Sequence, residues 1–289
     1  MGDDGACPQC DSACSSCDAD CADRSEPAVA EPKRLSPHAS ARIGSVIAVV
    51  SGKGGVGKSL VASLFALCLR RAGHSVGILD ADVTGPSIPH AFGVRDKLRA
   101  CADGIIPAHT TEGIQVVSTN LVLPEETTPV LWRGTIISGL VRQFFSEVLW
   151  GDLDYLVVDM PPGTGDVSLT VYQSLPVDGI VVVTAPQGLV SMIVGKAINM
   201  AAMMEVPVLG LVENMSYARC PECGARHEPF GESDTQALAR SHGIELTAQL
   251  PLSAQFAARM DAGEAESIDL DELVGFKEFT IGVVAKAGR

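Results

Sequence analysis

The sequence of this 289-residue chain lacks any hydrophobic run close to the roughly 18 residues that a membrane-spanning helix needs. It also lacks the basic and then apolar opening of a secretory signal peptide, because its N-terminus begins with acidic residues and cysteines. We therefore expect a cytoplasmic protein that does not insert into a membrane.

Positive charge is scarce. The chain has 21 Lys and Arg residues against 35 Asp and Glu residues, which gives a formal net charge of -14. Such a charge repels phosphate backbones and anionic lipids, so it argues against a nucleic-acid-binding or membrane-surface protein. Much of the acidity lies near the N-terminus, where the first 31 residues contain eight acidic side chains and Arg24 as the only basic one.

Two segments of different composition divide the chain. Residues 1–40 are rich in Asp, Ala, Ser, Cys and Pro without apolar periodicity, which predicts an acidic tail that is disordered or ordered by a metal. From Ile43 onward, apolar runs of strand length alternate with segments of helix length. The runs cover 46–50, 76–79, 116–118, 156–158, 180–184 and 208–212. This alternation predicts one α/β domain over 41–289 with a mostly parallel, doubly wound sheet, in which ligands bind beyond the carboxyl ends of the strands.

A glycine-rich sequence follows the first of these runs. It reads Gly52, Lys53, Gly54, Gly55, Val56, Gly57, Lys58 and Ser59, and it fits the pattern G-x-x-x-x-G-K-[ST] of a P-loop. In this pattern the glycines turn backbone N–H groups toward a polyphosphate, the lysine neutralises it and the serine hydroxyl holds Mg²⁺. Residues 60–69 predict a helix whose first residue, Leu60, would lie next to the phosphates. We therefore expect a P-loop NTPase fold with a nucleotide site at residues 52–60 and with Lys58 as a catalytic charge.

Acidic residues follow two more of the predicted strands. We expect Asp80 and Asp159 to hold Mg²⁺ together with Ser59, and Asp82 to orient the attacking water. The Pro- and Gly-rich sequence 159–166 predicts a loop that changes with the state of the γ-phosphate. An aspartate after a strand is usually a turn residue or a helix cap, but three of them in register with one P-loop favour the nucleotide role.

The identity of the base is less well defined. The sequence contains no N-K-x-D, the pattern that recognises guanine, so ATP is the expected nucleotide. Asn214, just beyond the strand at 208–212, could donate a hydrogen bond to adenine or could be an ordinary turn residue, and the residues by themselves leave both interpretations open.

Cysteines are unusually frequent for a chain without an export signal, and disulfides are not expected in a reducing compartment. Cys220 and Cys223 lie in the sequence CPECG, a thiolate knuckle of the kind that binds zinc or iron. Such a site usually requires four ligands, so a second copy of the chain could complete it on a dimer axis. A redox-active or unoccupied pair, or a site shared with tail cysteines, are alternatives.

The tail has its own cysteine series. The residues are Cys7, Cys10, Cys14, Cys17 and Cys21, separated by two, three, two and three residues. This density suffices for one iron–sulfur cluster, which we favour, although a zinc site or a tail without a fixed metal is also open. Cys68 and Cys101 are interpreted as ordinary residues.

The early lysine of GKGGVGK resembles that of the deviant Walker A ATPases related to MinD, ParA and the nitrogenase iron protein. In that class this lysine reaches across a dimer to the phosphates of the partner. The resemblance therefore implies an ATP-bound homodimer with Lys53 as a second catalytic charge.

Further motifs resemble the Mrp/ApbC family of iron–sulfur cluster carrier ATPases from about Ile43 to near the C-terminus. They are LDADVTGPSIP at 79–89, LWRG at 131–134, VVDMPPGTGD at 157–166, TAPQ at 184–187, and ENMSY with CPECG within 213–224. The resemblance implies that Asn214 contacts adenine and that Cys220 and Cys223, in a lobe near 214–231, hold a 4Fe-4S cluster bridging two subunits. It also implies slow ATP hydrolysis and cluster transfer to apo-proteins.

Two other functions compete with this one. One is an ATP-driven reductase like the nitrogenase iron protein, which has a cluster cysteine soon after the second switch strand. Residues 159–173 of this chain contain no cysteine, which disfavours that function. A positioning ATPase of the MinD or ParA kind would act on a membrane or on DNA. The C-terminal segment 270–286 lacks a strongly basic face, and we expect it to pack on the core instead.

Overall fold

The computed structural model describes residues 34–83, 85–123, 134–186, 190–231 and 233–288. The five tail cysteines, residues 131–133 of the LWRG motif and Gln187 of the TAPQ motif lie outside these ranges. Residues 34–40, which we assigned to the tail, are described, and the Leu35 amide donates a hydrogen bond of 2.7 Å to the Ser174 carbonyl of the domain.

Eleven strands are present in the described part of the chain. They are β1 (Arg42–Ser51), β2 (Val76–Asp80), β3 (Arg99–Ala100), β4 (Ile105–Ile106), β5 (Ala108–His109), β6 (Gln115–Ser118), β7 (Asp152–Asp159), β8 (Gly179–Thr184), β9 (Val208–Arg219), β10 (Arg226–His227) and β11 (Thr247–Pro251). The six predicted strands all form, as β1, β2, β6, β7, β8 and β9.

Nine of these strands form one sheet in the order β10-β9-β8-β1-β7-β2-β6-β5, with β11 also paired to β9. All pairs among the six predicted strands are parallel, and only the short strands β5 and β10 join this sheet antiparallel. β3 and β4 form a separate two-stranded ribbon. The mostly parallel sheet predicted from the sequence is thus confirmed.

Helices cover both faces of the sheet. They are α1 (Lys58–Arg71), α2 (Ile88–Ala91), α3 (Gly134–Ser146), α4 (Asp166–Ser174), α5 (Val190–Met203), α6 (Thr235–Ser241), α7 (Ala254–Asp261) and α8 (Phe276–Ala287), with short 3-10 helices at Thr119–Leu121, Ala265–Ser267 and Leu270–Glu272. Alternate residues of β1 point to opposite faces, so Ile47 and Val49 pack with α1 and α8 while Val46 and Val50 pack with α3 and α4. The doubly wound architecture is confirmed.

The helix after the P-loop motif forms as predicted and is longer than 60–69. Its residues 61–69 are buried, because it lies between the sheet and α8. No helix in the described ranges is long and apolar enough to cross a bilayer.

The C-terminal helix α8 packs on the core, as the sequence indicated. Phe276, Phe279 and Val283 are buried in the same apolar cluster as α1, and the two phenylalanine rings stack with their centroids 5.9 Å apart. Ile281 on the same helix is 64% exposed.

Replacing the fully buried Phe276 with alanine removes a ring from this cluster. We expect Phe276→Ala to lower the free energy of unfolding by about 3–5 kcal/mol. The matched control, Ile281→Ala, should change it by less than about 0.5 kcal/mol because that side chain faces solvent. Denaturant unfolding of both variants provides the measurement, and equal small losses would show that α8 does not pack as described.

Candidate nucleotide site and cysteine hairpin

Three neighbouring strands bring their polar residues to one edge of the sheet. Asp159 at the end of β7 lies in register with Asp80 at the end of β2, and Asp80 in turn lies in register with Ser118 at the end of β6. On its other side β7 pairs with β1, whose last residue, Ser51, leads into the P-loop. The strand order therefore places both predicted carboxylates beside the loop.

Backbone geometry shapes the P-loop as the glycine pattern requires. Gly55 and Gly57 adopt left-handed φ values of 80° and 79°, a backbone conformation that residues other than glycine rarely adopt. The Ser51 hydroxyl donates to the Lys53 carbonyl at 3.0 Å, and the Gly163 amide donates to the Ser51 carbonyl at 2.9 Å. The loop is thereby attached to the Pro- and Gly-rich segment that follows β7.

Helix α1 begins immediately after the loop and carries the two side chains predicted to bind phosphate and metal. The Lys58 ammonium is buried and donates to Asp159 Oδ1 at 2.5 Å, and the Ser59 hydroxyl donates to Asp159 Oδ2 at 2.6 Å. Lys58 Nζ also lies 3.7 Å from a carboxylate oxygen of Asp82. Four of the predicted site residues thus meet in one cluster, in which Asp159 holds the groups that a nucleotide would need.

The electrostatics of this cluster favour a cation. Burial, and then repulsion from Asp159, raise the pKa of Asp80 from its usual 3.8 to about 8. Burial also raises the pKa of Asp159, against the opposing effect of Lys58. Two buried carboxylates facing one lysine, with a serine hydroxyl beside them, form a hard oxygen donor set. The residues present therefore fit Mg²⁺, with Ser59, Asp80 and Asp159 as the predicted ligands.

Asn214, in β9, contacts the P-loop. Its Nδ2 atom donates to the Val56 carbonyl at 2.9 Å, and a Cβ added to Gly57 would lie only 2.1 Å from Nδ2. Its Oδ1 atom is buried and has no hydrogen-bond partner among the described residues. An unsatisfied acceptor next to the loop fits the amino group of adenine, and the predicted adenine contact remains a prediction.

The remaining predicted P-loop residues lie where the motif places them. Lys53 is partly exposed at the start of the loop, Gly54 is exposed, Val56 is buried and Leu60 is partly buried in the first turn of α1. The role of Lys53 toward a partner subunit stays a prediction.

The cysteine pair lies on a hairpin that extends β9 beyond the sheet, and we call residues 217–227 the cysteine hairpin. Its two strands pair Arg219 with Arg226, and the turn between them is closed by a 2.9 Å hydrogen bond from the Gly224 amide to the Cys220 carbonyl. Gly224 has a φ of 71°, so the glycine of CPECG is required by the backbone.

The turn favours the thiolate form of one of its two cysteines. Hydrogen bonds from the backbone amides of Cys223 and Glu222, and from the Cys223 side chain, lower the pKa of the Cys220 thiol. A thiolate is the form that ligates zinc or iron, so these hydrogen bonds favour the form that a metal site would need. Within the described ranges, no group of three or more His, Cys, Asp or Glu side chains is placed to hold a metal ion.

The other two described cysteines differ from this pair. Cys68 is buried in α1, and burial raises its pKa to about 11, which keeps it a thiol. Cys101 is exposed. The structure places neither with the knuckle, in keeping with their interpretation as ordinary residues.

Sequence reasoning missed three residues that support the site. The Ser118 hydroxyl donates a hydrogen bond to Asp80 at 3.1 Å. Ile193 packs so closely against the P-loop that a Cβ added to Gly52 would lie 2.4 Å from the Ile193 Cγ2 atom. Glu213 is a buried carboxylate next to Asn214 in the sequence. Ser118 and Glu213 end or follow predicted strands, which was an available signal. Nothing in the local sequence indicates the contact of Ile193.

Comparisons with known proteins agree with this geometry. A family described as "ParA: NUBPL iron-transfer P-loop NTPase" matches residues 42–279. An "Iron-sulfur cluster carrier protein" of Clostridium perfringens is 43% identical over 232 residues, which cover 78% of this chain and 81% of that protein. A protein with the same name from Saccharolobus solfataricus is 44% identical, covering 81% of this chain and 79% of its own.

Solved structures show the same fold. A nucleotide-binding protein of Archaeoglobus fulgidus in complex with ADP matches with a TM-score of 0.71 and 44% identity, covering 78% of this chain and 89% of its own. The cell division ATPase MinD of Pyrococcus furiosus matches with a TM-score of 0.58 and 17% identity, covering 84% of this chain and 98% of its own, and shows the fold alone.

The raised pKa of Asp80 predicts a pH-dependent loss of folding stability. In the unfolded chain this carboxyl ionises near 3.8, whereas in the folded protein it does so near 8, so the folded protein loses stability as the pH rises between these values. Asp80→Asn removes that loss. Its melting temperature should exceed that of the wild type by more at about pH 8.5 than at about pH 5.5, in EDTA without nucleotide. An advantage that does not grow with pH would contradict a buried, strained carboxylate.

Substitution of Gly57 tests the conformation of the P-loop and its contact with Asn214. Alanine there would adopt an unfavourable φ and displace Asn214, so Gly57→Ala should weaken ATP binding by about ten-fold or more. Gly139 in α3 has no atom within 4 Å of an added Cβ, so Gly139→Ala is the control and should leave ATP affinity unchanged. Isothermal titration calorimetry of both variants with ATP provides the measurement. An unchanged affinity for Gly57→Ala would contradict the close contact between Gly57 and Asn214.

Proposed function

This chain belongs to the NUBPL-type family of iron-transfer P-loop NTPases, and on that premise we propose that it is an ATP-hydrolysing iron–sulfur cluster carrier. It would assemble a 4Fe-4S cluster between two copies of the chain and transfer the cluster to apo-proteins. The names of relatives more than 40% identical over most of the chain support the class of cargo.

The observation that carries the proposal is the preorganised cysteine hairpin at the end of the strand whose Asn214 contacts the P-loop. The hairpin presents Cys220 and Cys223 on one tight turn, with hydrogen bonds that favour the Cys220 thiolate. Glu213 and Asn214 connect it within one strand to the loop. A carrier needs such a site, because exposed thiolates can both receive a cluster and release it.

The number of ligands supports a homodimer. A cubane cluster is held by four thiolates, and the hairpin of one chain supplies two. An isologous dimer brings the same surface of each chain to one axis, so two hairpins would complete the set. Lys53, partly exposed at the start of the P-loop, would reach the phosphates bound by the partner, as in the deviant Walker A class.

ATP hydrolysis would use the cluster of charges at the carboxyl edge of the sheet. The backbone amides of residues 54–59 and Lys58 would bind the phosphates, once Lys58 and Ser59 exchange Asp159 for the nucleotide. Mg²⁺, held by Ser59, Asp80 and Asp159, would neutralise charge on the β- and γ-phosphates. Asp82, which faces Lys58, would orient the attacking water. The ADP bound by the Archaeoglobus fulgidus relative supports an adenine nucleotide.

The loop at 159–166 would report the state of the γ-phosphate. It begins at Asp159, whose contacts with Lys58 and Ser59 must change when a phosphate binds, and Gly163 ties it to Ser51 at the entrance of the P-loop. Reorganisation of this loop would alter the dimer and thereby the cluster.

The expected setting is the cytoplasm, with apo iron–sulfur proteins as acceptors. The formal net charge of -14 does not favour nucleic acid or anionic membranes as partners. The tail cysteines, Cys7 to Cys21, could bind a second cluster or zinc.

Anaerobic iron loading of the full-length chain tests the shared cluster. The five tail cysteines are first replaced by serine so that only the hairpin can load. We expect about four irons per dimer, with a 4Fe-4S Mössbauer spectrum and a dimeric mass by light scattering. Cys220→Ser should abolish loading, whereas Cys101→Ser, the exposed control, should not.

Two results would refute the shared-cluster proposal. One is a complete cubane on a protein that remains monomeric. The other is the absence of iron from the hairpin after careful anaerobic loading.

A further inference from the structure

Glu213 is a fully buried carboxylate that the nucleotide chemistry does not use. It lies in β9 between Thr184 of β8 and Gln249 of β11. Its Oε2 accepts hydrogen bonds from the Ser216 hydroxyl at 2.6 Å and from Gln249 Nε2 at 3.0 Å. Its Oε1 accepts from the hydroxyls of Ser233 and Thr235. All four donors are uncharged, so this carboxylate is stabilised by hydrogen bonds from hydroxyl and amide groups.

Glu213 stands at the edge of an irregularity in β9. The pairing with β11 moves from Gln249 opposite Glu213 to Pro251 opposite Tyr217, so β9 advances four residues while β11 advances two. We call residues 214–216 the β9 bulge. Met215 within it has a φ of 58°, which a residue other than glycine keeps only where its surroundings hold it.

One side of the β9 bulge contacts the P-loop. Asn214 donates to the Val56 carbonyl, and the Met215 methyl group lies 3.9 Å from the position of a Cβ on Gly57. A change in the loop when phosphates bind therefore acts directly on two residues of the bulge.

The other side of the β9 bulge continues into the cysteine hairpin. Tyr217 follows Ser216 directly, and the Arg226 guanidinium of the opposite hairpin strand lies 4.2 Å from the Tyr217 ring centroid. The Leu252 amide donates to the Tyr217 carbonyl at 2.6 Å, which fixes the base of the hairpin to the end of β11. From there the chain reaches Cys220 through Ala218 and Arg219, the last two residues of β9.

The carboxylate of Glu213 joins the parts that meet at this point. Its bond from Ser216 closes the bulge, its bond from Gln249 attaches β11, and its bonds from Ser233 and Thr235 attach the segment that returns from the hairpin to α6. A carboxylate only accepts hydrogen bonds, so it fixes the direction of all four donors, which a neutral amide cannot do.

We infer that Glu213 is a positioning residue that couples the nucleotide state of the P-loop to the geometry of Cys220 and Cys223 through the β9 bulge. This inference rests on the proposed function, in which ATP controls the cluster site. Beside the loop at 159–166, it assigns a direct route of that control to the strand that carries both Asn214 and the hairpin.

The reactivity of the hairpin thiols measures this coupling in the metal-free, full-length protein. Cys220 and Cys223 are alkylated with iodoacetamide, with and without saturating Mg²⁺-ATP, and peptide mass spectrometry separates them from the other cysteines. For the wild type we expect ATP to change their alkylation rates by about five-fold or more. For Glu213→Gln, which keeps the size of the side chain, the effect of ATP should fall below about two-fold although ATP still binds.

Controls separate coupling from general loosening. Alkylation of the buried Cys68 reports global unfolding, and a destabilised variant would react faster both with and without ATP. Glu245→Gln, which removes an exposed carboxylate paired with Lys286, should keep the wild-type effect of ATP. Should Glu213→Gln unfold, Ser216→Ala removes one donor from the same carboxylate and should still reduce the effect.

The inference is overturned if Glu213→Gln responds to ATP as the wild type does, or if the wild type shows no effect of ATP on either thiol. Because this assay needs no iron, its failure leaves the cluster-loading result unaffected, and the two hypotheses can fail separately.

Discussion

The buried ion cluster around Asp159 is the interaction on which the candidate site depends. A lysine with 6% of its side chain exposed needs a partner of opposite charge, and Asp159 supplies that partner while also binding the Ser59 hydroxyl. This arrangement exists because β1 and β7 pair in parallel and because β7 and β2 end together. The nucleotide therefore meets a site whose charges are already placed and mutually engaged.

The same cluster contains two buried carboxylates near one buried lysine, so its charges do not balance. Asp80 and Asp159 are both buried, and the proximity of the two carboxylates adds to the effect of burial on Asp80. Without a cation the folded protein tolerates this repulsion instead of benefiting from it, which is common where function takes precedence over stability. A divalent cation would remove the imbalance, so metal binding and nucleotide binding favour the same arrangement of side chains.

β9 connects the candidate nucleotide site with the cysteine hairpin. Its first half is an ordinary buried strand next to β8, its bulge contacts the P-loop, and its last residues form one arm of the cysteine hairpin. A regular strand would send Asn214 and its neighbours to alternating faces of the sheet. The bulge changes the direction of the side chains and the course of the chain at the same point. One strand thus carries a residue of the candidate nucleotide site at its middle and the cysteine pair at its end.

The sequence by itself determined the α/β architecture, the six main strands, the P-loop with its helix, and the identity of the carboxylates and thiols, because these depend on local periodicity and on spacing within one segment. It did not reveal Ser118 as a partner of Asp80, Ile193 behind Gly52, or Glu213 as the acceptor of four hydrogen bonds. Apart from the bond between Ser216 and Glu213, each of these contacts joins segments at least 20 residues apart in the chain, and strand order and register decide which of them meet. The hydrogen bond of Lys58 with Asp159 and that of Asn214 with the Val56 carbonyl were likewise decided only by the tertiary structure, since local sequence sets the type of a side chain and packing sets its partner.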